Sequence, residues 1–123
     1  MPAAAESETL QSLMRELGDR MGQISDGLWR EDYPAVAEAA QYIASHPKPP
    51  LQQRKKIISA LGADAAEFRA ADKRVHDDAL ELVEAARTGQ MPPVVARYQR
   101  LMDGCVACHT QFRERLRPVL HPD

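Results

Sequence analysis

Apolar residues at Leu10, Met14, Leu17, Met21, Ile24 and Leu28 alternate four and three apart, which places all six on one seam of a helix. Arg15, Glu16, Asp19 and Arg20 fill the opposite face, so this first helix must be covered along one side by other elements. Gly18, Gly22 and Gly27 lower its intrinsic propensity and permit close approach of a neighbour. Asp32 is a suitable N-cap and Pro34 suits a first turn, which predicts a second helix reaching about Ser45. His46-Pro47-Lys48-Pro49-Pro50 cannot be helical throughout, because each proline removes a donor and disfavours helix in the residue before it.

A helical pattern resumes at Leu51 through Ile57, Ile58 and Leu61. It can break at Gly62, and it continues through Ala65, Phe68, Val75, Ala79, Leu82 and Ala86 to a stop at Thr88-Gly89. The last helix starts near Pro92, carries Val95, Tyr98, Leu101 or Met102, Cys105, Cys108, Phe112 and Leu116, and is expected to end at Pro118. No stretch shows sustained strand alternation, and there is no internal repeat. The fold expected is therefore all-α, an antiparallel four-helix bundle forming a single domain over 1–123.

Composition agrees with a helical chain: aromatics are 5% and charged residues 28% of its 123 positions. The formal charge of -2 comes from interspersed acids and bases, which argues against nucleic acid as a partner and against strong electrostatic steering. No apolar run approaches the length of a membrane span. Met1 to Glu8 lack the basic start and apolar stretch of an export signal, and Ala3, Ala4 and Ala5 could be remnants of a cleavage region.

Cys105-Val106-Ala107-Cys108-His109 has the spacing that attaches haem c, in which two thiols add to the two vinyl groups and the adjacent imidazole reaches the iron. On a helix the three side chains lie at i, i+3 and i+4 and emerge on one face. Three other readings fit less well. A dithiol redox site normally accompanies a βαβ pattern, which is missing here. Structural zinc would need a fourth ligand, and His46, His76 and His121 show no metal-ligand spacing. A disulfide across two intervening helical residues is geometrically poor. The motif thus implies one covalent haem c, and with it an exported, periplasmic protein.

The segments Cys105-Val106-Ala107-Cys108-His109-Thr110-Gln111-Phe112-Arg113 and Leu13-Met14-Arg15-Glu16-Leu17-Gly18-Asp19-Arg20-Met21 resemble the cytochrome c′ family, the class II c-type cytochromes. The resemblance covers most of the chain. It implies a left-handed four-helix bundle, often a homodimer, with haem near one end and His109 as proximal ligand. Low-spin members of this family place a methionine on the distal side of the iron. High-spin members place an apolar blocking group there, and their five-coordinate iron binds nitric oxide or carbon monoxide.

Met14 matches the distal position. Read alone, a methionine on such a seam is a core filler; the resemblance instead favours a His/Met pair, with Met21 as an alternative. Leu17 is expected beside the cofactor on the same seam, and Phe112 packs near the haem or in the core. Arg113 lies one turn after His109 and either sits over the proximal haem face or faces solvent. Met91 and Met102 look structural, His76 reads as a surface or seam histidine, and Trp29 and Tyr33 are expected to pack at a helix end.

Leu10 departs from the family, where an arginine often holds a propionate. Arg15, Arg54, Lys55 and Arg69 remain candidates for that role, none preferred. The function expected is a one-electron carrier with unidentified redox partner proteins and no enzymatic residues. The alternative is a five-coordinate nitric-oxide or carbon-monoxide binder.

Overall fold

The first helix, α1 (Leu10–Arg30), starts where the Thr9 hydroxyl accepts from the Ser12 amide at 3.1 Å, in a computed structural model that describes residues 9–121. The Ala3–Ala5 stretch lies outside the described residues. At the other end of α1, Glu31 adopts the left-handed conformation (φ 54, ψ 38) and the Asp32 amide donates to the Gly27 carbonyl at 2.8 Å. The Asp32 carboxylate then caps α2 (Tyr33–Ala44) by accepting from the Ala35 amide at 3.2 Å, as expected of an N-cap before Pro34. A two-residue turn thus reverses the chain and lays α2 antiparallel to α1.

The third helical pattern divides at Gly62 into α3 (Leu51–Leu61) and α4 (Ala65–Thr88), joined by a 3₁₀ turn over Gly62–Asp64. Gly62 has φ +56, which a residue with a Cβ rarely adopts. After Gly89, α5 (Met91–Leu120) returns along α4. Around the bundle α1 packs on α2, α2 on α4 and α4 on α5, while α5 meets α1 only lightly and α3 closes the end of that seam. Among the described residues there is no strand. The architecture is the expected four-helix bundle, with α3 as an added short helix.

Two apolar clusters fill it. One, in the half containing the α1–α2 turn, gathers Ile24, Val36, Ile43, Leu82, Val94 and Leu101. The other joins Leu10 and Leu13 of α1, Ile57 and Leu61 of α3, and Phe112 and Leu116 of α5. Leu17 touches both. Phe68 meets Phe112 edge to face, with centroids 5.2 Å apart at 89°, a geometry that aligns the ring edge of one with the π face of the other.

Four expectations need correction. Pro118 does not end the last helix, which continues to Leu120. Val119 and Leu120 pack on the second cluster and the Gln11 amide bonds the Leu120 carbonyl, which offsets the single backbone bond that proline forgoes. Trp29 does not pack at its helix end and is 88% exposed, whereas Tyr33 packs against the first cluster. Met102 is exposed while Leu101 is buried, so only the latter belongs to the α5 seam. Leu13, absent from the predicted α1 seam, is buried, because the helix also faces α3.

Of the three α1 glycines, only Gly27 is needed for close approach. A Cβ there would lie 2.8 Å from Val36 Cγ2 and 3.3 Å from the Asp32 carbonyl, whereas Gly18 and Gly22 have no such neighbour within 4 Å. Gly27→Ala is therefore expected to destabilise the fold by about 1–3 kcal/mol through overpacking. Gly22→Ala should stabilise it by about 0.5–1 kcal/mol through helix propensity. Thermal unfolding of the two variants checks this opposition of sign.

Candidate haem-binding site

Cys105 and Cys108 sit one turn apart on α5, both half-buried and both free thiols. Cys105 packs against the first cluster and Cys108 against the second, so the pair spans the boundary between them. Met14 and Leu17 of α1 and Phe68 and Ala71 of α4 pack against the same second cluster as Cys108. Helical spacing delivers this: Met14 and Leu17 share the α1 seam, Phe68 and Ala71 that of α4.

Electrostatics keep the thiols protonated. Burial pushes Cys105 up, and the nearby Asp78 carboxylate adds to this against the opposing pull of Arg74. Cys108 is raised to about 11, first by burial, then by the Asp72 carboxylate and the neighbouring Cys105, itself raised. Neither cysteine is therefore a low-pKa nucleophile of the dithiol-exchange kind. Uncharged thiols beside apolar groups suit thioether formation with vinyl carbons, which leaves no charge on sulfur.

His109 is exposed and its ring has no hydrogen-bond or ion-pair partner among the described residues. Phe112 is 1% exposed and belongs to the second cluster. Arg113 has a solvent-facing side chain whose nearest carboxylate is Glu114, at 4.0 Å. Of the propionate candidates, Arg54 bonds the Pro49 carbonyl at 3.0 Å, and Arg15, Lys55 and Arg69 are exposed. Met21 packs on the first cluster, away from the Cys108 group. His76 bridges helices by sharing a hydrogen bond with the Ala44 carbonyl at 2.7 Å, a seam role. Tyr98 ties α5 to α1 by donating to the Met21 carbonyl at 3.2 Å.

Two residues bearing on the site escaped sequence reasoning. Asp78 is 5% exposed on the α4 seam, with Arg74 at 3.3 Å and Arg100 at 3.9 Å, and lies against Gly104 next to Cys105. A carboxylate three residues after Val75 and four before Leu82 on a buried stripe was the available signal. Asp72 meets His46 Nε2 at 3.4 Å, and that contact holds its carboxyl below the usual range. Nothing in the spacing of Asp72 and His46 announces their meeting, since a proline linker and α3 separate them.

A model of the cytochrome c′ family matches residues 6–113. The chain belongs to the cytochrome c′ family. Proteins of this family bind one covalent haem c and are electron carriers or gas-binding haem proteins, generally not enzymes. The cytochrome c′ of Rhodospirillum rubrum is 40% identical over 55 residues, which are 45% of this chain and 37% of that protein's length. No solved structure gave a significant match. The donor set fits the family's cofactor, since two thiols packed on the apolar clusters and an exposed imidazole, unpartnered among the described residues, lie within one turn of the same helix.

Because the Asp72 carboxyl is lowered in the fold, its contribution to stability is present above the unfolded value of 3.8 and is lost as pH falls through the lower folded one. Asp72→Asn should lessen the acid sensitivity of unfolding below about pH 4, checked by acid titration of helical circular dichroism. The raised thiols have the opposite sign. In chain expressed without haem attachment, iodoacetamide is expected to alkylate Cys108 more slowly than in urea-unfolded chain at pH 8, with the gap narrowing as pH approaches 11.

Proposed function

We propose that this cytochrome c′-family chain is a periplasmic one-electron carrier, with haem c held by Cys105 and Cys108, His109 as proximal ligand and Met14 as distal ligand. The observation that carries this reading is the sharing of one apolar cluster by Met14 of α1 and Cys108 of α5. When bound, the haem supplies the ferric–ferrous couple, and a His/Met pair raises its potential.

The chain's own residues bind, orient and exclude water. Cys105 and Cys108 anchor the cofactor to a single helix, which fixes its position relative to the His109 imidazole. Leu13, Leu17, Phe68 and Phe112 keep the cluster apolar around Met14 and Cys108. Arg100 of α5 reaches the Asp78 carboxylate of α4 at 3.9 Å, and the Arg74–Asp78 pair within α4 lies against Gly104, beside Cys105. No group here is asked to transform a substrate.

A homodimer belongs to the same reading, as it is common in the family. Gly18, Gly22 and Trp29 lie on one face of α1 by helical spacing. Trp29 is 88% exposed and the two glycines have open space before them, so this face has room for a second copy.

Absorption spectra test the carrier. The native protein is expected to show a low-spin spectrum with a methionine-to-iron band, and Met14→Ala should convert it to high-spin. A native ferrous protein that is high-spin and binds carbon monoxide would replace the carrier by the gas-binding alternative. Cys105→Ser with Cys108→Ser should release haem on denaturation, whereas the native chain retains it. Trp29→Glu is expected to shift the sedimentation of the native dimer to that of a monomer.

A further inference from the structure

Helix α3 has two unlike faces. Ile57 and Leu61 point into the cluster that holds Met14 and Cys108. Leu51, Lys55 and Ile58, at i, i+4 and i+7, share an outward face where Leu51 is 53% and Ile58 49% exposed. The helix carries Arg54, Lys55 and Lys56 and no acid, and no carboxylate among the described residues pairs with either lysine. At this end of the bundle Asp64 pairs with Arg115 at 2.6 Å and Glu114 with Arg117 at 3.1 Å, while Glu67 accepts from the neutral Gln111 amide at 3.1 Å.

The opposite half of the bundle holds Asp26, Glu31, Asp32, Glu38, Glu81 and Glu84, of which Asp26, Glu81 and Glu84 pair with Arg30, Arg97 and Arg87. Helices of the length of α1 and α4 run for roughly 30 Å, and charges in saline are screened beyond about 8 Å. Distant charges therefore contribute little at α3, where an approaching partner meets the local run Arg54-Lys55-Lys56 rather than the net charge of -2. Interspersed charge along the sequence had suggested no steering; the acid-free α3 is a local exception.

We propose that the outer face of α3 is the docking surface for an acidic face of a redox partner protein. This inference rests on the carrier reading. An apolar pair, Leu51 and Ile58, with Lys55 as its cationic rim on the same face and Lys56 further round the helix, matches the anatomy of a protein interface. The rim steers carboxylates at long range, and the aliphatic pair takes over at contact. A partner seated there is one helix diameter, about 10 Å, from the cluster that contains Cys108. Two aliphatic side chains on an 11-residue helix bury little area in a bilayer, which favours a protein over a lipid surface.

Stopped-flow oxidation of the reduced holoprotein by ferricyanide, an anion that takes one electron, tests the field at this end. The rate is expected to fall by about tenfold as salt rises, and Lys55→Glu with Lys56→Glu should reverse that dependence while circular dichroism stays unchanged. A wild-type rate that rises with salt, as net charge alone dictates, would overturn the proposal, as would an unaltered slope in the variant. Capture of the holoprotein on immobilised poly-L-glutamate is the second readout, expected for the wild type and lost in the variant. Stronger capture by phosphatidylglycerol vesicles than by poly-L-glutamate overturns the protein-docking proposal in favour of a membrane. Poly-L-glutamate capture needs no electron transfer, so a chain captured through α3 but inert to ferricyanide would sink the carrier reading and leave the acidic-partner surface standing.

Discussion

The contact on which the rest depends is the apolar junction of three helices at one end of the bundle. Leu10 and Leu13 of α1, Ile57 and Leu61 of α3, and Phe112 and Leu116 of α5 bury one another there. Each such side chain contributes roughly 1.5–3 kcal/mol when fully removed from water. α1 and α5 otherwise meet only lightly, so this junction holds the CxxCH helix in register with the helix that carries Met14. It also explains why α5 runs through Pro118: the last turn has apolar partners to reach.

A second constraint is the handling of charge near the two thiols. Asp78 is buried beside Cys105 and is tolerated because Arg74 and Arg100 approach it, while Asp72 is held ionised by His46. Both carboxylates come from α4, and both raise the neighbouring thiol further than burial alone. A site with this bias keeps sulfur uncharged, in keeping with the single covalent haem c of the family.

Much of this was legible along the chain because helices and their caps are local. Asp32 before Pro34, the left-handed Gly62 and the stop at Gly89 are short-range decisions of backbone geometry, and each stands where its residue type placed it. Trp29 and Met102 were misjudged for the opposite reason, since hydrophobicity predicts burial only where a neighbour arrives to provide it. Leu13 was missed because a second helix, α3, widens the covered face of α1 beyond one seam.

By itself the sequence determined the helices, the bundle class and the spacing of Cys105, Cys108 and His109, because periodicity, capping and a contiguous motif depend on neighbours within a turn or two. Only the tertiary structure decided that Met14 shares a cluster with Cys108, that Asp72 meets His46, and that Asp78 is buried beside Cys105. Those relations join residues far apart in the chain. Their energies arise from burial and screened Coulomb forces, which act through space and cannot be read from order alone.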